Sequence, residues 1–127
     1  MKKLTAFAIA PIPFALLLCS ACEGKASRPD ERLFSPQAIA RGRAVYVSQC
    51  ALCHGERADG RGVRREGLSS PPRDFTDSRW RRNARPEALY RTIREGVRGT
   101  PMAAWPSLDE ETTWDLVAYL MSAGEKP

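Results

Sequence analysis

Within "QCALCHGERADGRG", residues 49–62, two thiols and an imidazole fall within five positions: Cys50, Cys53 and His54. Whatever these side chains hold must be gripped from one short turn, which constrains the fold more than any other feature of the chain. A structural zinc site needs four ligands. This cluster offers three, His54 is the only histidine, and the other cysteines, Cys19 and Cys22, lie in a different kind of segment near the start. A thioredoxin-like dithiol needs its cysteine pair at a helix N-terminus within alternating strands and helices. Here the pair follows a helical pattern. A plain disulfide suits an oxidising compartment but leaves His54 without a role.

The surrounding pattern favours a fourth chemistry. Ser35 as N-cap and Pro36 at the first helical position open a helix, and Ile39, Gly42, Val45 and Tyr46 recur along one of its faces as it runs into Cys50. From Gly55 to about Ser78, glycines and prolines punctuate a loop. A polar loop of about twenty-five residues is uncommon in so small a domain unless it wraps around something. A second helix is expected from Pro86, carrying Leu89, Tyr90, Ile93 and Val97 and ending between Gly96 and Gly99. A capping box of Ser107 and Glu110 opens the last helix, with Asp109, Glu110 and Glu111 as capping charge at its positive end. Thr113, Leu116, Val117, Leu120 and Met121 line its buried side, and Gly124 stops it. No strand pattern occurs, so the fold class is all-α: three main helices joined by long loops. Such helices bury little apolar area of their own. A haem supplies a large flat apolar body, and Cys-x-x-Cys-His is the pattern of c-type haem attachment.

The start of the chain reads as an export signal over residues 1–21: Lys2 and Lys3, then the apolar run "LTAFAIAPIPFALLL", then small residues before Cys22. The alternative, a spanning helix, asks for roughly 20 apolar residues, and Pro11 and Pro13 interrupt the run. "LLLCSAC" resembles a bacterial lipoprotein signal, which implies Cys22 as the lipidation site and a membrane tether; the alternative is ordinary signal cleavage nearby, which leaves one spare thiol or none. Residues 22–34 read as a flexible tether and residues 35–127 as the folded domain. Between Arg57 and Arg98 stand twelve arginines and six acids, and between Asp109 and Glu125 five acids and no base. An exported chain seldom meets nucleic acid, so the arginine-rich stretch reads as a solvated face or a docking face for redox proteins with acidic surfaces.

The stretch from Gly42 to Gly55, closing on "YVSQCALCHG" and followed by "DGRG", resembles the haem-binding start of small monohaem class I cytochromes c, a likeness covering roughly residues 36–124. The resemblance implies a small cytochrome c-like fold around one haem c, attached through Cys50 and Cys53, with His54 as the proximal iron ligand. It implies Met102, in "GTPMAAW", as the opposite axial ligand, whereas Met121 reads as helix core. It brings Gly42 and Tyr46 to the crossing of the first and last helices, with Tyr119 as the aromatic partner. It looks to the Pro71–Pro72 segment for the carbonyl that orients His54. Trp80, Trp105 and Tyr90 are pocket aromatics or ordinary core.

The expected function is one-electron transfer between periplasmic or membrane redox proteins, with no catalytic acid, base or nucleophile. The alternatives are a cytochrome subunit of a larger oxidoreductase and a ligand-binding haem sensor.

Overall fold

The computed structural model describes residues 34–124; the expected export segment, Cys22 and the tether to residue 33 lie outside the described residues, as do residues 125–127. Five helices follow one another: α1 (Pro36–Gln49), α2 (Ala51–His54), α3 (Ser78–Asn83), α4 (Pro86–Glu95) and α5 (Glu110–Ser122). Among the described residues there is no strand. No helix among them is long and apolar enough to cross a membrane.

α1 begins where local chemistry says it should. The Ser35 hydroxyl accepts the Ala38 N–H at 3.2 Å, and Pro36, which has no N–H to leave unpaired, occupies the first turn. Its buried face is Ala38, Gly42 and Tyr46, and it lies against α5, the most extensive helix contact in the domain. Gly42 sits at the crossing: a Cβ there would overlap the Asp115 carbonyl of α5. One turn on, Tyr46 and Tyr119 pack with ring centroids 5.0 Å apart and planes tilted by 50°. Arg41 straps the outside of the crossing, its Nε and Nη2 donating to the two Asp115 carboxylate oxygens at 2.5 and 2.8 Å. Nothing in the helical periodicity pairs residues that far apart.

α5 starts later than its sequence pattern suggests. The capping box expected of Ser107 and Glu110 does not form. Asp109 is the N-cap, its Oδ1 accepting the Thr112 N–H at 2.7 Å. The reason is a preceding turn: Leu108 N–H donates to the Trp105 carbonyl at 3.3 Å, so the chain is still turning at Ser107. Hydrogen bonds from Thr112 also hold the Asp109 carboxyl below its ordinary range.

α3 has no counterpart among the expected elements. "SRWRRN" is too short to show a periodicity, and Asp77 caps it through the Arg79 N–H at 2.7 Å. α4 starts at Pro86 as expected and ends at Glu95. Val97, expected on its apolar face, lies beyond the helix and is exposed. Tyr46, Phe75, Ile93, Leu116, Val117 and Leu120 anchor the buried core.

Because the Gly42 contact is backbone against backbone, no side-chain rearrangement can relieve an added methyl. Gly42→Ala should lower stability by about 1–3 kcal/mol, read as a lower urea midpoint at unchanged slope. A midpoint equal to that of the parent would mean that the two helices do not need this approach.

Candidate cofactor site

α1 delivers the chain directly into the cysteine turn. The Cys50 N–H closes the last α1 bond to the Tyr46 carbonyl at 2.8 Å, and the Cys53 and His54 N–H groups return to the Cys50 carbonyl at 3.2 and 2.9 Å. The last carbonyls of a helix lack intrahelical donors, and here the following loop supplies them. Arg64, Gly62 and Gly60 donate to the carbonyls of Leu52, Cys53 and His54 at 2.8, 3.1 and 2.8 Å. The "ADGRG" stretch therefore braces the turn from outside.

A buried side chain braces it from inside. Tyr46 Oη donates to the Gly55 carbonyl at 2.6 Å, and its ring is fully buried. Burial raises the pKa of this phenol, so it stays a protonated donor. Its position on the helix face was visible in the sequence. Its hydrogen bond was not, because the acceptor is a backbone atom.

Cys50, Cys53 and His54 line a largely apolar cavity of about 510 Å³, and so do Met102 and Trp105 from the loop after α4. This volume falls in the usual range for cofactor sites, roughly 300–1,000 Å³. Ile93 of α4 and Leu116 and Leu120 of α5 close it on the helix side. Trp80 also lines it, whereas Tyr90 stacks on Trp114 with centroids 4.6 Å apart and is not part of the lining. Met121 packs against the core and is likewise absent from the lining.

His54 Nδ1 lies 3.1 Å from the Arg73 carbonyl. A carbonyl only accepts, so this contact requires the proton on Nδ1 and leaves the Nε2 lone pair free. The acceptor expected within the Pro71–Pro72 segment is instead the next residue. The Phe75 N–H donates to the Ala58 carbonyl at 2.8 Å, tying the returning loop down just beyond Arg73. The two prolines line the cavity. Burial lowers the pKa of His54 against the opposing effect of the Arg73 bond, which favours the neutral imidazole that a metal needs. Phe75 packs on the ring at 5.1 Å.

Cys50 and Cys53 form no disulfide with each other. Burial, with the neighbouring Cys53 adding to it, pushes Cys50 up to about 11, opposite to the lowered pKa of a redox dithiol. Among the described residues no group of three or more His, Cys, Asp or Glu converges as a metal cage.

Residues 37–120 match the family described as cytochrome C oxidase, cbb3-type, subunit III. The chain belongs to this family of c-type cytochromes. The cytochrome domain is 33% identical over 90 residues to the cbb3-type cytochrome c oxidase subunit CcoP of Azospirillum sp. (strain B510), covering 68% of this chain and 29% of that protein. It is 30% identical over 111 residues to subunit FixP of Sinorhizobium medicae (strain WSM419), covering 77% and 36%. The chain thus spans about a third of the length of these relatives. Among solved structures it resembles a chain of the Kuenenia stuttgartiensis reducing HAO-like protein complex (TM-score 0.57, 33% identity, 65% of this chain and 40% of that one). It also resembles the KustC0563 c-type cytochrome (TM-score 0.53, 29% identity, 64% and 94%). The fold is the all-α cytochrome c fold, and the family's group is covalently bound haem c with its iron.

The cavity suits that group: its walls are mainly apolar, and its sulfur and imidazole donors are those that haem iron and haem vinyl groups take. In the cytochrome domain Tyr46→Phe should keep the contact with Tyr119 yet leave the Gly55 carbonyl with the Ala58 N–H as its remaining donor, at a cost of about 0.5–1.5 kcal/mol. Denaturant unfolding of the holoprotein measures it, and an unchanged midpoint would show that the phenol does not brace the turn.

Proposed function

We propose that this domain is a one-electron transfer protein whose haem is held by thioethers from Cys50 and Cys53 and ligated by His54 and Met102. When bound, haem c supplies the Fe(II)/Fe(III) couple. The observation that carries the reading is that these four residues share the lining of one apolar cavity, with His54 hydrogen-bonded so that Nε2 is the free nitrogen. Arg73 keeps the imidazole in one tautomer and orientation. The Met102 thioether, softer than a second imidazole, favours the reduced iron and raises the potential. Ile93, Leu116 and Leu120 exclude water, and no residue is asked to move a proton.

Two settings suit such a domain. One is a carrier that shuttles between exported redox proteins and docks through its arginines on acidic surfaces. The other is a subunit of a larger oxidoreductase, which the likeness to oxidase subunits favours. In either setting export through residues 1–21 and lipidation of Cys22 put the domain at a membrane surface on the periplasmic side.

Oxidised wild-type protein should show the weak far-red charge-transfer band of methionine on Fe(III), and Met102→Ala should abolish it while the haem stays covalently attached. A band that survives the substitution means that Met102 is not the ligand, and rapid uptake of exogenous ligands by the wild type would instead favour the sensor. The mature chain is expected to carry acyl mass on Cys22 and to release its partner as salt screens the docking charges. An unmodified terminus in mass spectrometry rejects the anchor, and a partner retained at high salt indicates the subunit.

A further inference from the structure

The two walls of the cavity are secured differently. The His54 side is one continuous turn bonded on both faces. Met102 comes from a loop that has left α4 at Gly96 and must come back to it. The return is made by backbone. Val97 N–H donates to the Met102 carbonyl at 2.9 Å, and Trp105 N–H donates to the Ile93 carbonyl at 3.0 Å. Within the loop, Thr100 Oγ1 donates to the Val97 carbonyl at 2.8 Å and accepts the Met102 N–H at 3.2 Å.

Gly96 is where this return is tightest. Its φ is +70° and its ψ −169°, a conformation open essentially to glycine alone, and it ends α4. A Cβ there would stand 2.7 Å from the Met102 carbonyl oxygen, 2.7 Å from the Ala104 nitrogen and 2.9 Å from the Ala103 carbonyl carbon. All three are backbone atoms, so the loop must lift as a unit to make room. Gly99, three residues on, has nearly the same φ of +74° but nothing within 4 Å of its Cβ position.

We propose that Gly96 is a positioning residue for the sixth iron ligand: its bare Cα lets the Met102–Ala104 backbone seat on the end of α4, and that latch holds Met102 in the cavity. The inference rests on the reading of Met102 as axial ligand. It makes α4, and not the loop's own stiffness, the element that decides whether the iron is closed to outside ligands.

The pair Gly96→Ala and Gly99→Ala tests this in the holoprotein, since both place an alanine at positive φ and only Gly96→Ala carries the collision. Gly96→Ala should lose the far-red band and bind added imidazole readily, with covalent haem unchanged by mass. Gly99→Ala should keep the band and resist imidazole as the parent does. Equal loss in both variants overturns the proposal, because strain alone would then explain it. A band retained in Gly96→Ala overturns it too, while loss of the band in Met102→Ala leaves the ligand assignment standing. A band retained in Met102→Ala overturns both. Should Gly96→Ala fail to accumulate, Thr100→Val separates the two supports, because it removes bonds within the loop and leaves the seat on α4 intact. Its imidazole affinity should stay within about twofold of the parent, and a rise of roughly tenfold, the worth of about one net hydrogen bond, would show that the loop's own stiffness holds Met102 and overturn the proposal.

Discussion

The contact on which the domain depends is the approach of α1 to α5 at Gly42, where a helix backbone rests on the Asp115 carbonyl of its neighbour. At this crossing Tyr46 meets Tyr119 and the Arg41–Asp115 pair reaches across the outside. α1 then ends in the cysteine turn, so the crossing also decides where Cys50, Cys53 and His54 stand relative to Leu116 and Leu120 of α5. Widening the helix pair would move one wall of the cavity against the other. The core around it is small: outside α5, its largest buried members are Tyr46, Phe75 and Ile93. A bound haem would add apolar contact where these helices alone bury little.

Around the cavity, backbone groups do most of the positioning. The carbonyl of Arg73 orients the imidazole, the carbonyl of Gly55 takes the phenol of Tyr46, and the N–H groups of residues 60–64 satisfy the end of α2. This economy suits a protein whose proposed task is to change charge without changing shape. A site held by main chain offers few side chains that rearrange between oxidation states. It also separates the two proposed axial ligands: one sits in a turn bonded from both sides, the other in a loop whose hold on α4 runs through Gly96 and the Trp105–Ile93 bond.

What could be read in advance was local. Ser35 and Pro36 announce α1 and Pro86 announces α4, because caps and first-turn prolines act within three or four residues. Cys50, Cys53 and His54 are legible for the same reason, being confined to one turn, and Met102 was singled out by its loop setting and by resemblance. The misses have separate physical causes. α3 is too short to carry a period. The cap of α5 moved from Ser107 to Asp109 because Leu108 turns back on Trp105. Arg73 was displaced by its neighbours Pro71 and Pro72 as the expected partner of His54, since a carbonyl carries no residue-type signature.

The amino-acid sequence by itself thus determined the chemistry on offer: the attachment motif, one imidazole, one loop methionine, and helices with apolar faces without a strand pattern. Tertiary structure alone decided which main-chain atoms meet those side chains. Arg41 with Asp115, Tyr46 with the Gly55 carbonyl, and Gly96 with the Met102–Ala104 backbone are such meetings. The physical reason is range. Propensity, capping and motif spacing act over a turn or so of chain, whereas these contacts join segments whose approach depends on how every intervening element packs.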